Sequence, residues 1–121
     1  RPFGEADLYE SALVPPLTTQ AELERTLHRA RSKLVLVDVY AKWCGPCREL
    51  APFIEDLAAA HRGRTLFFRV DLDVSQELGR FLQVSSVPTL IAFKNREEVD
   101  RVTGAVRNRI ENMVHEYGSQ E

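Results

Sequence analysis

Leu34-Val35-Leu36-Val37-Asp38-Val39-Tyr40-Ala41-Lys42-Trp43-Cys44-Gly45-Pro46-Cys47, residues 34–47, is the stretch that decides the fold. Leu34 to Val39 is a near-continuous apolar run rich in Val, the pattern of a strand buried on both faces. The run breaks at Cys44-Gly45-Pro46-Cys47. Behind the break, Leu50, Phe53, Ile54, Leu57 and Ala58 recur at the 3, 4, 7, 8 spacing of a core-facing helix. Pro46 suits the first helical turn, where a missing N–H costs nothing, whereas Pro52 inside the helix predicts a kink.

Upstream, Thr19 followed by Glu22 reads as a capping box, with Leu23, Leu27 and Ala30 on one face of the helix behind it. Ser11 to Val14 reads as a short edge strand closed by Pro15 and Pro16, which cannot donate to a ladder. Residues 1 to 10 carry no sustained periodicity. The reading therefore divides the chain into an N-terminal extension, 1–17, partly irregular, and a domain, 18–121. Loss of Arg1 to Ser11 is expected to leave activity intact.

Downstream, Gly63 ends the long helix and Thr65 to Val70 gives a second buried strand. Ser75 to Leu82 reads as a short helix with Ser75 as N-cap. Thr89 to Phe93 and Glu98 to Thr103 form a hairpin around Lys94-Asn95-Arg96-Glu97. A last helix from about Asn108 carries Ile110, Met113, Val114 and Tyr117 on one face and stops at Gly118. The order β-α-β-α-β-α-β-β-α implies a mixed central sheet with helices on both faces.

The 121 residues suit one domain, and 44% hydrophobic with 28% charged residues excludes a disordered or fibrous chain. Nowhere do 18 apolar residues run together, so no transmembrane helix is expected. A net charge of −2 builds in no pull toward nucleic acid or anionic lipid. Two cysteines are too few for a secreted disulfide scaffold. The chain begins with Arg1, so residues are expected upstream, and its first 16 residues lack the layout of a signal peptide.

Cys44 and Cys47 stand where the buried strand meets the helix. Their spacing lets the two sulfurs meet across one helical turn, so a disulfide can open and close with little backbone movement. Cys44 falls at the helix N-terminus, where unsatisfied N–H groups and the dipole favour a thiolate, the attacking species in disulfide exchange. The alternatives are a zinc half-site or two inert buried thiols. Zinc would need two more ligands, and His28, His61 and His115 are single and widely spaced.

Trp43-Cys44-Gly45-Pro46-Cys47 resembles the active-site signature of the thioredoxin family, and Ser86-Val87-Pro88-Thr89 resembles its cis-proline loop. Asp38, Pro52 and Gly104 fall at the family's spacing as well, over about residues 18 to 118. The resemblance implies a thioredoxin fold: a central mixed sheet of four to five strands flanked by about four helices. It also implies an enzyme, a thiol–disulfide oxidoreductase that reduces protein disulfides. No bound cofactor or metal is expected, only the redox-active disulfide Cys44–Cys47. The implied partners are a thioredoxin reductase and disulfide-containing substrate proteins, with no nucleic acid or membrane, and a monomer is expected. The expected location is cytoplasmic, with a mitochondrial one open.

Carried over residue by residue, Cys44 resembles the exposed nucleophile and Cys47 the buried resolving thiol. Asp38 resembles the buried acid that moves a proton on and off Cys47; burial would raise its pKa. Trp43, Gly45 and Pro46 resemble the motif's substrate-facing side. Val87 would offer its backbone to an extended substrate beside cis-Pro88, and Gly104 and Ala105 would complete the rim of the groove. Three positions depart from the family pattern. Arg69 stands where Lys is usual near the acid, and a guanidinium cannot give up its proton. Tyr40 replaces a frequent Trp. Arg96 follows Asn95 where Gly is usual, a poor fit to a turn needing positive φ.

Two other readings compete with a reductase. Oxidases and isomerases of this fold commonly carry His between the cysteines, and Gly45-Pro46 offers no such charge. An interaction module draws its support from the extension at 1–17.

Overall fold

The computed structural model describes residues 6–118. A four-stranded sheet forms its centre, in the order β2-β1-β3-β4. The strands are β1 (Leu34–Tyr40), β2 (Thr65–Asp71), β3 (Thr89–Lys94) and β4 (Glu97–Thr103). β2 runs parallel to β1, while β3 and β4 are antiparallel to their neighbours. The helices are α1 (Gln20–Ala30), α2 (Gly45–Ala60), α3 (Gln76–Phe81) and α4 (Arg107–Gly118), with a 3₁₀ turn at Ala6–Tyr9.

Strand alternation sorts the core into two layers. Leu34 and Leu36 of β1 pack with Leu50 and Ile54 of α2 and with Ile110 and Met113 of α4. Val35, Val37 and Val39 face the other way, onto Leu23 and Leu27 of α1 and Leu78 of α3. All seven β1 residues are buried, as an apolar run with helices on both sides requires. By the same alternation Asp38 points to the face that α2 covers.

Several local expectations are corrected. The edge strand at Ser11–Val14 does not form, and the sheet has four strands. What remains of it is one parallel bridge between Pro16 and Arg69. Pro15 O accepts from Arg69 N at 2.9 Å and Leu17 N donates to Arg69 O at 2.8 Å. Prolines 15 and 16 bring no N–H of their own, so the pairing cannot extend into a ladder. Within residues 6–17, Tyr9, Val14 and Leu17 are buried.

The capping box gains a partner: Thr19 Oγ1 accepts from Glu22 N at 3.1 Å, and the Glu22 carboxylate, beside the backbone N–H of Thr19, also takes the N–H and hydroxyl of Thr18. Ser75 occupies the N-cap position of α3 without a side-chain cap bond. The carboxylate that organises that loop is Asp71, which accepts from Asp73 N at 3.0 Å. β4 begins at Glu97 and α4 at Arg107, one residue earlier than the pattern implied. Helix α2 continues across Pro52. The hairpin turns on Asn95 and Arg96, both at positive φ (52° and 71°), so the unfavourable conformation is adopted, not avoided.

Candidate active site

Strand β1 delivers the chain to the top of the sheet, and Ala41 to Trp43 cross over to α2. Cys44 is the N-cap of α2, with extended φ and ψ of −83° and 114°. Its sulfur accepts the N–H of Cys47 at 3.1 Å. A cysteine sulfur here does what a Ser or Asp oxygen does at other helices, satisfying an otherwise unpaired N–H. As a thiolate it would gain both that hydrogen bond and the positive end of the dipole. Cys44 and Cys47 are joined as a disulfide across this first turn, with their Cα atoms 5.2 Å apart.

The expected contrast between an exposed and a buried thiol is absent. Cys44 is 4% exposed and Cys47 2%. The reason is the cluster that Tyr9, Tyr40, Ala41 and Ala51 build around the disulfide. Trp43, next to it, is 69% exposed, and its indole Nε1 donates to Asp73 Oδ2 at 2.9 Å. The ring is thus held at the surface by one polar contact.

The Val87–Pro88 peptide is cis, as the resemblance implied. Val87 O lies 3.8 Å from Cys44 Sγ. Pro88 O accepts Gly104 N at 2.8 Å, which ties the end of β4 to this loop. Gly104 takes φ +96°, a conformation that favours glycine. Pro46 and Ala105 are exposed, and Gly45, Val87 and Gly104 are half-buried. The loop residues Val87, Pro88 and Gly104 are therefore linked to each other and, through Val87, to Cys44.

Asp38 is fully buried on the α2 face, and Arg69 is its register partner on β2. Arg69 Nε stands 3.7 Å from Asp38 Oδ2, while Arg69 Nη1 stands 3.1 Å from Glu55 Oε2 of α2. The guanidinium is 1% exposed, lies 5.3 Å from the centre of the Tyr9 ring, and so sits under a roof made by the N-terminal segment. Tyr9 in turn stacks on Tyr40, their centroids 4.1 Å apart. Ser11 Oγ donates to Glu55 Oε1 at 2.8 Å. Desolvation pushes the Asp38 carboxyl up to about 6, against the pull of Arg69. Burial, with Asp71 nearby, pushes the Tyr40 hydroxyl up to about 12.

Three neighbours of the site escaped the sequence reading. Tyr9 lies in a segment without periodicity, and only tertiary packing reveals it. Glu55 reads as an ordinary charge on an amphipathic helix. Asp73 follows Asp71 in a loop where nothing local separates the acid that orders backbone from the acid that holds Trp43.

Among the described residues, no three His, Cys, Asp or Glu side chains converge as a metal site. His61 caps the end of α2 and meets His115 edge to face at 5.5 Å, away from the cysteines in the fold. Burial and the nearby Arg64 charge lower its pKa. No helix among the described residues is long and apolar enough to cross a membrane.

A thioredoxin family model matches residues 14–116. The chain is 39% identical over 93 residues to thioredoxin-1 of Saccharomyces cerevisiae, covering 77% of this chain and 87% of the yeast protein. It is 42% identical over 74 residues to the bifunctional thioredoxin reductase/thioredoxin of Mycobacterium leprae, which covers 61% of this chain but 16% of that longer protein. Among solved structures, Fasciola hepatica thioredoxin superposes with a TM-score of 0.83 at 34% identity, over 86% of this chain and 99% of that one.

Proposed function

The chain belongs to the thioredoxin family, and we propose how its residues divide the work of reducing protein disulfides by thiol–disulfide exchange. It is a thiol–disulfide oxidoreductase whose redox centre is the Cys44–Cys47 pair. The observation that carries the assignment of roles is the sulfur of Cys44 at the N-cap of α2, accepting the N–H of Cys47 and facing Val87 O.

In the reduced protein, the Cys44 thiolate attacks one sulfur of a substrate disulfide. A mixed disulfide forms on Cys44, and the other substrate sulfur leaves as a thiolate that takes up a proton from water. Cys47 then gives its proton to the Asp38 carboxylate and attacks Cys44 Sγ. The second substrate sulfur leaves as a thiolate and takes up a proton from water, Asp38 returns its proton to water, and the Cys44–Cys47 disulfide holds the oxidised state. Two electrons have passed to the substrate. A carboxyl that titrates near 6 suits proton exchange near neutral pH. The substrate strand would lie along Val87 and Pro88, between Trp43, Gly45 and Pro46 on one side and Gly104 and Ala105 on the other.

A thioredoxin reductase would return the two electrons. The fusion of thioredoxin reductase with thioredoxin in the Mycobacterium leprae relative supports that partner. A reducing compartment, the cytosol or the mitochondrial matrix, suits such a donor. The test is reduction of insulin by NADPH, a thioredoxin reductase and this protein. Turnover that depends on all three supports the reading; turnover with glutathione alone, and none with the reductase, would contradict the donor.

A further inference from the structure

Two arginines in this chain occupy turn positions that glycine fills at lower cost, and both border the same cavity. Arg31 follows α1 with φ 57° and ψ −120°. Lys33 N donates to Ala30 O at 3.0 Å, so residues 30–33 form a type II′ turn with Arg31 at its first central position. Arg96, at φ 71°, is the second central residue of the two-residue turn between paired Lys94 and Glu97. Both positions place Cβ of an L-residue in a crowded conformation. Strain that persists at a pair of neighbouring sites points to a use for the side chains.

Arg31, Arg96, Arg29 and His28 line a cavity of about 400 Å³. Beside it, a second cavity of about 450 Å³ shares Arg29 and Arg31 and adds Lys33, Arg64 and Lys94. Neither lining contains an Asp or a Glu. This concentration of cations belongs to a chain of net charge −2. Part of it has a structural purpose: Arg64 donates to Ala60 O and Lys94 to Tyr117 O, closing the carbonyl ends of α2 and α4. Arg29, in the last turn of α1, complements that helix dipole. Arg31, Lys33 and Arg96 are left without an ion-pair partner among the described residues. They lie at the Leu34 end of β1, about 20 Å of strand from the disulfide at its other end, so the catalytic site does not account for them.

We propose that this pole of the molecule binds a small, multiply charged phosphate-type anion, held by Arg31 and Arg96 with Arg29 beside them. The cavity volumes fall in the range of small-ligand sites, and guanidinium groups match a di- or triphosphate bidentately. Ala30, Leu34 and Leu66 give the larger cavity an apolar wall against which an organic part of the ligand can rest.

Calorimetric titration of the full chain with inorganic pyrophosphate tests the site, with Arg31→Gly, Arg96→Gly and the surface control Arg80→Ala alongside. Both glycine variants should lose at least tenfold in affinity while the control binds as before. Both should melt at or above the parent, by up to about 5 °C, because the turn strain is relieved. Insulin reduction should be unchanged in all three. An adenosine diphosphate arm locates the source: tighter binding than pyrophosphate assigns a phosphorylated organic molecule, equal binding the bare anion. Pyrophosphate that does not bind at millimolar concentration overturns the proposal, as does equal loss in all three variants. Glycine variants that melt more than 5 °C lower would make the arginines structural and overturn it too.

Discussion

Asp38 and Arg69 are register partners on adjacent parallel strands, yet the guanidinium makes its shorter contact elsewhere: 3.1 Å to Glu55 against 3.7 Å to Asp38. Facing Asp38 are Arg69 of β2 and Tyr40 of its own strand, while Glu55 of α2 and Tyr9 of the N-terminal turn meet the other side of the guanidinium. Desolvation outweighs the pull of this divided cation and raises the Asp38 pKa. A cation that cannot deprotonate thus coexists with an acid that titrates near neutrality.

The Asp38→Asn variant should be the more stable protein at pH 8 and the slower reductase. The folded pKa, about 6, lies above the unfolded value, so the folded state holds the proton more tightly. Stability of the parent then falls as pH rises from about 4 through about 6, by roughly 2–3 kcal/mol. The variant escapes that loss, so urea midpoints should coincide near pH 4, part as pH rises and stand fully apart above about pH 6. A variant less stable at pH 8, reducing insulin at the parent rate, would make Asp38 an ion-pair partner only.

Glu55→Gln should lower the pKa of Asp38. It leaves Arg69 with one charged acid to pair with. The amide can still accept from Ser11, so the fold should hold. The acid limb of the reduction rate should shift to lower pH, and a carboxyl titration followed by NMR should shift with it. An unmoved or raised midpoint would sever Glu55 from the proton path.

The two cysteines should fail in different ways. Cys44→Ser abolishes insulin reduction, whereas Cys47→Ser leaves substrates trapped on Cys44 as mixed disulfides. Mass spectrometry identifies the trapped sulfur. Adducts on Cys47 in the first variant, with none on Cys44 in the second, would reverse the roles.

Tyr9→Ala should cost about 2–4 kcal/mol, from lost burial and the lost stack on Tyr40. Deletion through Ser11 removes this ring together with the hydroxyl that holds Glu55. The sequence alone suggested that such a truncation would leave activity untouched. Urea denaturation of the Tyr9 variant checks the cost, and a change within 0.5 kcal/mol would mark the segment as loosely attached.

What was legible in the sequence is what short-range physics fixes. Leu34 to Val39 could hardly be anything but a doubly buried strand, and the spacing of Leu50, Ile54 and Leu57 set the face of α2. The cysteine pair and Asp38 announced themselves as chemistry placed among apolar residues. Long-range packing was not legible. Tyr9 reaches Tyr40 across 31 residues, and its ring helps to bury Cys44, which was expected to be exposed. The Ser11–Val14 strand failed because the prolines beyond it left too few donors. Arg96 read as an obstacle to the hairpin, and the hairpin formed around it.

The central claim is that Cys44 and Cys47 form a reducing couple, since Gly45-Pro46 places no charge between them to favour the thiolate. Equilibrating the purified protein with glutathione buffers, and quantifying its two forms by thiol alkylation, measures that directly. The account predicts a potential near the roughly −270 mV characteristic of thioredoxins as a class. A value above about −180 mV, in the range of isomerases and oxidases, would contradict it.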